Sequence, residues 1–511
     1  MSASRHDVVV LGGGPAGSAA ATLLVEHGHD VALLRLDRPP AAALPESIPP
    51  SARRTLEELD MLSAVEAAGF HANRGNVAWW AGDAERREEF SAATPGFHVD
   101  RGTLESTLVD VARQAGARVH DGVRARSGEP VSSGWTVRAD GPDGARSFEA
   151  PWVIDATGRS GVLARPQGRH PDRSTTTLAL VRRWRRAGGW SEAVAHHTLV
   201  ESYADGWAWS VPLADDVRCF TAMIDQREGE RSGLDVDEML ERELARTSHV
   251  GIGREGAIPD GPAWACPASL YSASTFAKPG LLLAGDAGSF IDPLSSFGVK
   301  KALSSGWLAA VAVHTALMDP AAAAVATDFF DARERDVYRR YRSISTAFFE
   351  SAAEHHGTDY WRRRAESARR ACMAADAEAA ADPERLPDGV PEARVRRAFE
   401  AIRARPTLEA VRGRTLRMVE RPGVVGHRIV LRDHLVSDRH GEGLRHVRGV
   451  DLRELVAVAP FHAEVPDGWA AYNARSAPVT LPDYLTALAT AFAAGFLEHG
   501  DRAGARPAGR P

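Results

Sequence analysis

The sequence predicts an α/β fold: a parallel sheet with a glycine-rich loop, interrupted by an antiparallel β domain and followed by a helical C-terminal region. Three patterns carry that expectation. Apolar runs alternate with Ala/Leu-rich helical stretches at the N-terminus, and Gly12-x-Gly14-x-x-Gly17 stands between the first run and the first helix. Residues 172–270 then switch to short β-type runs before another buried run near 281–284.

Val8–Leu11 reads as a buried strand, Pro15 to His27 as a helix that Gly28 closes, and Val31–Leu34 as a second buried strand. This is a Rossmann-type arrangement. The first glycine permits the tight turn, the second lets backbone approach a pyrophosphate and the third packs helix on strand, with Pro15 and Ala16 opening the helix that faces the phosphates. Residues 101–122 give an amphipathic helix and a strand, and "APWVIDATGRSG" (150–161) another strand ending in a glycine turn. The expected order is a nucleotide-binding part at 1–171, a β-rich substrate domain at 172–270, and a return to the nucleotide-binding part at 271–345. A helical region at 346–448 follows, with a linker near 374–393, then a small helical or winged-helix module at 449–500 and a disordered tail at 501–511.

With 511 residues the chain can bury more than one core. A net charge of −6 gives no reason to expect nucleic acid or an acidic membrane as partner. Three scattered cysteines, with no CxxC and no metal-type spacing, point to free thiols in a reducing, cytoplasmic setting and to no metal. No run is long and apolar enough to span a membrane. The 62 basic residues include only three lysines, Lys278, Lys300 and Lys301.

"LLLAGDAGSFIDP" (281–293) resembles the flavoprotein monooxygenase superfamily, in which the aspartate of such a Gly285-Asp286 pair contacts the FAD ribityl chain. The resemblance implies that Pro293, Ser296, Gly298 and Val299 lead into a helix whose amides face the flavin, and that Arg101 contacts FAD. The acid that usually binds the adenosine ribose is replaced by Arg35, with Asp37 just beyond.

Within that superfamily, "GWAWSVP" (206–212) looks like the WxWxIP signature of flavin-dependent halogenases, and "FIDPLSSFG" (290–298) like their second signature. "LPESIPPS" (44–51) is similar to the family's loop after the second strand, which implies that Glu46 and Ser47 lie near the flavin. The family's halogenation lysine falls in a segment corresponding to about 73–82, where this chain has Arg74 and no lysine, and its tryptophan halogenases carry a glutamate where this chain has Ser295. Arginine does not replace that lysine like for like. Lys300 and Lys301 are expected to touch the flavin or the surface.

The resemblance therefore implies an FAD- and O2-dependent monooxygenase that works through a flavin C4a-hydroperoxide and hydroxylates an indole or phenol, free or on a peptide or carrier. Some halogenase-like enzymes, of the LodB and QhpG type, oxidise a tryptophan of a partner protein. Electrons would come from NAD(P)H directly or through a separate flavin reductase. An atypical halogenase, a geranylgeranyl-reductase-like enzyme and a flavin-free binding protein are the competing readings. Trp207 and Trp209 alternate onto one face of an extended segment and are expected to wall the pocket, as are Trp79 and Trp80. His71 and His98 are the acid–base candidates. The pairs His196-His197 and His355-His356 read as surface or interdomain residues.

Overall fold

The computed structural model describes residues 3–36, 45–171, 175–380 and 390–500. Asp37, residues 381–389 of the expected linker and the tail 501–511 lie outside them. The chain forms two compact units, residues 1–378 and 379–511.

The first unit is built on a six-stranded sheet. Its order runs Ala277–Lys278, Leu281–Leu283, Trp152–Asp155, Val8–Leu11, Val31–Leu34 and Arg118–His120. All neighbours are parallel except the antiparallel edge hairpin formed by Ala277–Lys278. The central strands are buried on both faces, which is why they read as unbroken apolar runs rather than alternating ones. Two helices lie against each other beside this sheet, Pro15–Glu26 and Gly298–Met318. They approach so closely that a Cβ on Gly306 would sit 2.1 Å from the Ala16 carbonyl oxygen. Gly17 is equally tight: its Cβ would be 1.8 Å from the Gly12 carbonyl oxygen.

A seven-stranded sheet forms the other layer, in the order Ile258–Pro267, Thr177–Arg185, Val217–Asp225, Gly206–Ala214, His197–Tyr203, Gly75–Trp79, Glu85–Glu89. Five of its strands come from the stretch expected to be β-rich. The last two come from residues 75–89, because His197–Tyr203 offers a free edge and pairs in parallel with Gly75–Trp79. A small three-stranded sheet joins the layers: Pro45–Ile48, Gly96–Asp100 and His71–Asn73, with Ser47 and His71 each directly opposite His98.

The second unit mixes helix and strand. Residues 346–448, expected to be helical, are so through Ala380, just past the end of the first unit at residue 378, and again over Glu392–Arg403 in the second. They then form the antiparallel hairpin Arg417–Val425 and Arg428–Ser437, extended by His440–Leu444. Charge hides this β pattern, since Arg, Glu and His fill many hairpin positions. Helices Leu452–Val458, Val465–Asn473 and Leu481–Ala493 pack on a core that includes Tyr484 and Phe496.

Candidate active site

Where the six- and seven-stranded sheets of the first unit approach each other, a cleft opens to solvent. Trp207 and Trp209 both line it, from one face of Gly206–Ala214, as the alternation of an extended strand requires. Their rings stack with centroids 4.8 Å apart and planes 27° apart. Opposite them the turn Phe290–Ser296 and Gly298 and Val299 of the following helix form the other wall.

That turn is held from three sides. Asp292 caps it, accepting from the Leu294 N–H at 3.0 Å. The Tyr271 hydroxyl donates to the Asp286 carbonyl at 2.7 Å. Lys301, fully buried beneath, donates to the carbonyls of Gly285 (3.1 Å) and Ser289. Ser296 adopts a left-handed conformation, φ 52°, which non-glycine residues rarely take outside constrained sites. Burial raises the Asp292 carboxyl pKa, opposed by its Leu294 hydrogen bond and by Arg364 and Arg342.

A second cleft is lined by Gly12, Gly14, Arg35, Thr157 and Gly158. Arg101 lines both clefts and joins them. Its guanidinium bonds Glu105 at 2.9 Å and Glu46 at 3.1 Å. Burial opposes its charge, but Glu46, Glu105 and Asp286 outweigh that and raise its pKa.

This geometry fits FAD on its own terms. The helices Pro15–Glu26 and Gly298–Met318 start without any side-chain cap, so their first-turn N–H groups are left for a ligand. A Cβ at Gly298 would meet nothing within 4 Å, so the start of that helix is open. By contrast, the helix Arg101–Ala115 is closed by the Asp100 carboxylate, which accepts from Thr103 N–H.

The expected residues divide accordingly. Pro15, Glu46, Ser47, Asp286, Pro293, Ser296, Gly298 and Val299 line the first cleft, Gly12, Gly14 and Arg35 the second. Gly17, Ala16 and Gly285 line neither: Gly17 and Ala16 sit in the helix contacts described above, and Gly285 donates its N–H to Ser305 Oγ at 2.8 Å. Arg35 pairs with Asp121 at 3.5 Å.

Six residues are placed differently from what the sequence led us to expect. His71 does not reach the cleft; its ring stacks on His196 at 4.5 Å and its Nε2 meets the Ala195 carbonyl, because its strand turns that face toward residues 195–196. His98 is buried behind the cleft wall, its Nε2 2.9 Å from Thr198 Oγ1. Trp79 stacks on His249, while Trp80 lies one layer behind the wall, edge-on to Trp207 at 6.3 Å. His197 is buried and paired with Glu89, not a surface residue, and Lys301 touches neither surface nor cleft. Residues not singled out from sequence also line the cleft: Thr198, Val200, Arg159 and Asp292. Only Asp292 left a signal, as the residue before Pro293 in a capping position.

Among known proteins, the tryptophan halogenase family model matches residues 62–394. A tryptophan 2-halogenase of Chondromyces crocatus is 30% identical over 374 residues, covering 70% of each chain. The solved structure of CmlS, a flavin-dependent halogenase, superposes with a TM-score of 0.77 at 21% identity, over 100% of this chain and 98% of that one. QhpG, a peptidyl tryptophan dihydroxylase, superposes with a TM-score of 0.63 at 22% identity, over 91% and 95%. At such identities the two structures speak for the shared fold, while the family model and the Chondromyces relative speak for descent: this chain belongs to the tryptophan halogenase family and is an FAD-dependent enzyme.

Proposed function

We propose that the protein is a monooxygenase that hydroxylates an electron-rich aromatic, an indole or phenol, free or carried on a peptide. The observation that carries this reading is the absence of lysine from the cleft. Among the described residues, Lys278 is exposed at a sheet edge, Lys300 bonds Ser51, and Lys301 is buried on backbone carbonyls. The cations in the cleft are Arg101 and Arg159.

When bound, reduced FAD supplies the activation of O2. In this reading Gly12 and Gly14 approach the pyrophosphate, Arg101 spans the two clefts, and the open N-terminus of Gly298–Met318 favours negative charge on the flavin. Trp207 and Trp209 give the substrate ring a flat apolar wall and keep water from the reacting oxygen. Reducing equivalents come from NAD(P)H, directly or through a flavin reductase.

The relatives' names favour a second reading, halogenation. Both are tested in one experiment: holoprotein, chemically reduced flavin, O2, and an indole or phenol panel, with chloride or bromide present. A mass gain of one oxygen atom, indifferent to halide, is expected. Product with a halogen isotope pattern would overturn hydroxylation.

A further inference from the structure

A chain of buried polar side chains, whose hydrogens can be counted, runs from behind the cleft wall into its lining. Asn73, His98 and Thr198 are 1%, 1% and 2% exposed, and Ser47 is 9% exposed. Asn73 Oδ1 accepts from the Gly75 backbone N–H at 3.1 Å, which fixes the orientation of its amide. Its Nδ2 therefore donates to Ser47 Oγ at 3.0 Å. On the other side, His98 Nε2 lies 2.9 Å from Thr198 Oγ1, and the two hydroxyls are 2.8 Å apart.

The tautomer of His98 follows from what surrounds it. Its Nδ1 is buried with no partner among the described residues. Burial, then the charge of Arg218 and the neighbouring histidines, hold its pKa well below the usual value, so the ring is neutral. A hydrogen on Nδ1 would be an orphaned buried donor; an unpaired lone pair there is the cheaper arrangement. The hydrogen is thus on Nε2 and is donated to Thr198.

Two donors now enter the Ser47–Thr198 pair from outside, one at each end. The pair holds two hydroxyl hydrogens, and the bond between the two oxygens uses one. The other has no acceptor among the described residues, whichever hydroxyl carries it. Ser47 and Thr198 are both residues of the cleft lining.

We propose that the Ser47–Thr198 pair presents one committed hydrogen-bond donor to an oxygen acceptor of the ligand in the cleft, with Asn73 and His98 as the positioning residues that set its direction. The acceptor is a carbonyl of the flavin ring or the oxygen of an aromatic substrate. The inference rests on the cleft being the flavin and substrate site.

The test uses the full chain, purified wild type, the double variant Ser47→Ala/Thr198→Val, and Asn73→Asp. Either single change at the hydroxyls leaves one free hydrogen, so only the double variant removes the donor. Asn73→Asp keeps the shape but turns a donor into an acceptor, so Ser47 spends its hydrogen on the new carboxylate. FAD affinity is read by quenching of flavin fluorescence. Affinity of the holoprotein for phenol and for toluene, which has no acceptor, is read from the flavin absorption band.

If the flavin is the acceptor, FAD binding weakens about tenfold in both variants, the loss expected for one hydrogen bond of about 1.4 kcal/mol. If the substrate is the acceptor, FAD binding holds, and phenol binding weakens about tenfold while toluene binding does not change. A double variant that keeps the wild-type circular dichroism and binds FAD and phenol as tightly as wild type overturns the proposal. Wild-type protein that binds neither FAD nor phenol overturns the reading of the cleft as well, so the two failures are distinguishable.

Discussion

At the scale of single residues, the cleft depends on side chains whose direction is fixed by strand geometry. Trp207 and Trp209 are legible in the sequence because residues two apart on a strand share a face. His71 and His98 are not legible in this way. They sit opposite each other across the small sheet, and only its position behind the cleft decides that His98 reaches the site through Thr198 while His71 points away. Thr198 itself left no mark in the sequence, since its importance comes from partners 100 and 151 residues away. Trp209, half-buried against the cleft, is expected to matter most for shielding. Its replacement by alanine should leave FAD bound but raise the hydrogen peroxide released per product formed several-fold, measured by a peroxide assay alongside product yield.

Secondary-structure elements carry the next layer of constraint, and glycines show it best. The role of Gly17 was readable from its place in a known spacing, but that of Gly306 was not, because it faces another helix nearly 300 residues away in sequence. Its replacement by alanine would force the helices Pro15–Glu26 and Gly298–Met318 apart. The expected cost is about 1–3 kcal/mol in chemical denaturation, with weaker FAD binding because both helix N-termini move. Lys301 and Glu334 brace the same region. Glu334 is buried, bonds Ser305 and is pushed up to about 7 by burial, with Lys301 opposing. Its folded pKa lies above the ordinary value of 4.5, so its stabilising contribution is full below 4.5 and is lost as pH rises through about 7. Glu334→Gln should therefore gain on wild type over that interval, by up to about 3 kcal/mol, when urea midpoints are compared at pH 5 and pH 8.

For the molecule as a whole, the parallel sheet was the most legible part, since strands buried on both faces write unbroken apolar runs. The other sheet was legible only where its strands are consecutive. Its two edge strands from residues 75–89 join through a parallel pairing that no local pattern announces. In the second unit, residues 417–437 hid a hairpin beneath charged side chains. Each unit has a hydrophobic core of its own. Phe496, fully buried in the second, should cost about 3–5 kcal/mol when cut to alanine. Calorimetry is expected to show one transition lowered and another unmoved, with the flavin absorption of the holoprotein unchanged.

The stacked tryptophans also make the protein a recorder of its own failures. Their indoles belong to the same chemical class as the proposed substrate and line the cleft proposed to hold it. In the proposed reaction, an oxidant made in the cleft without a substrate to meet it would find Trp209 next. Peptide mass spectrometry over residues 187–218 after turnover without substrate would then read, as oxygen added to tryptophan, how many times the enzyme fired on nothing.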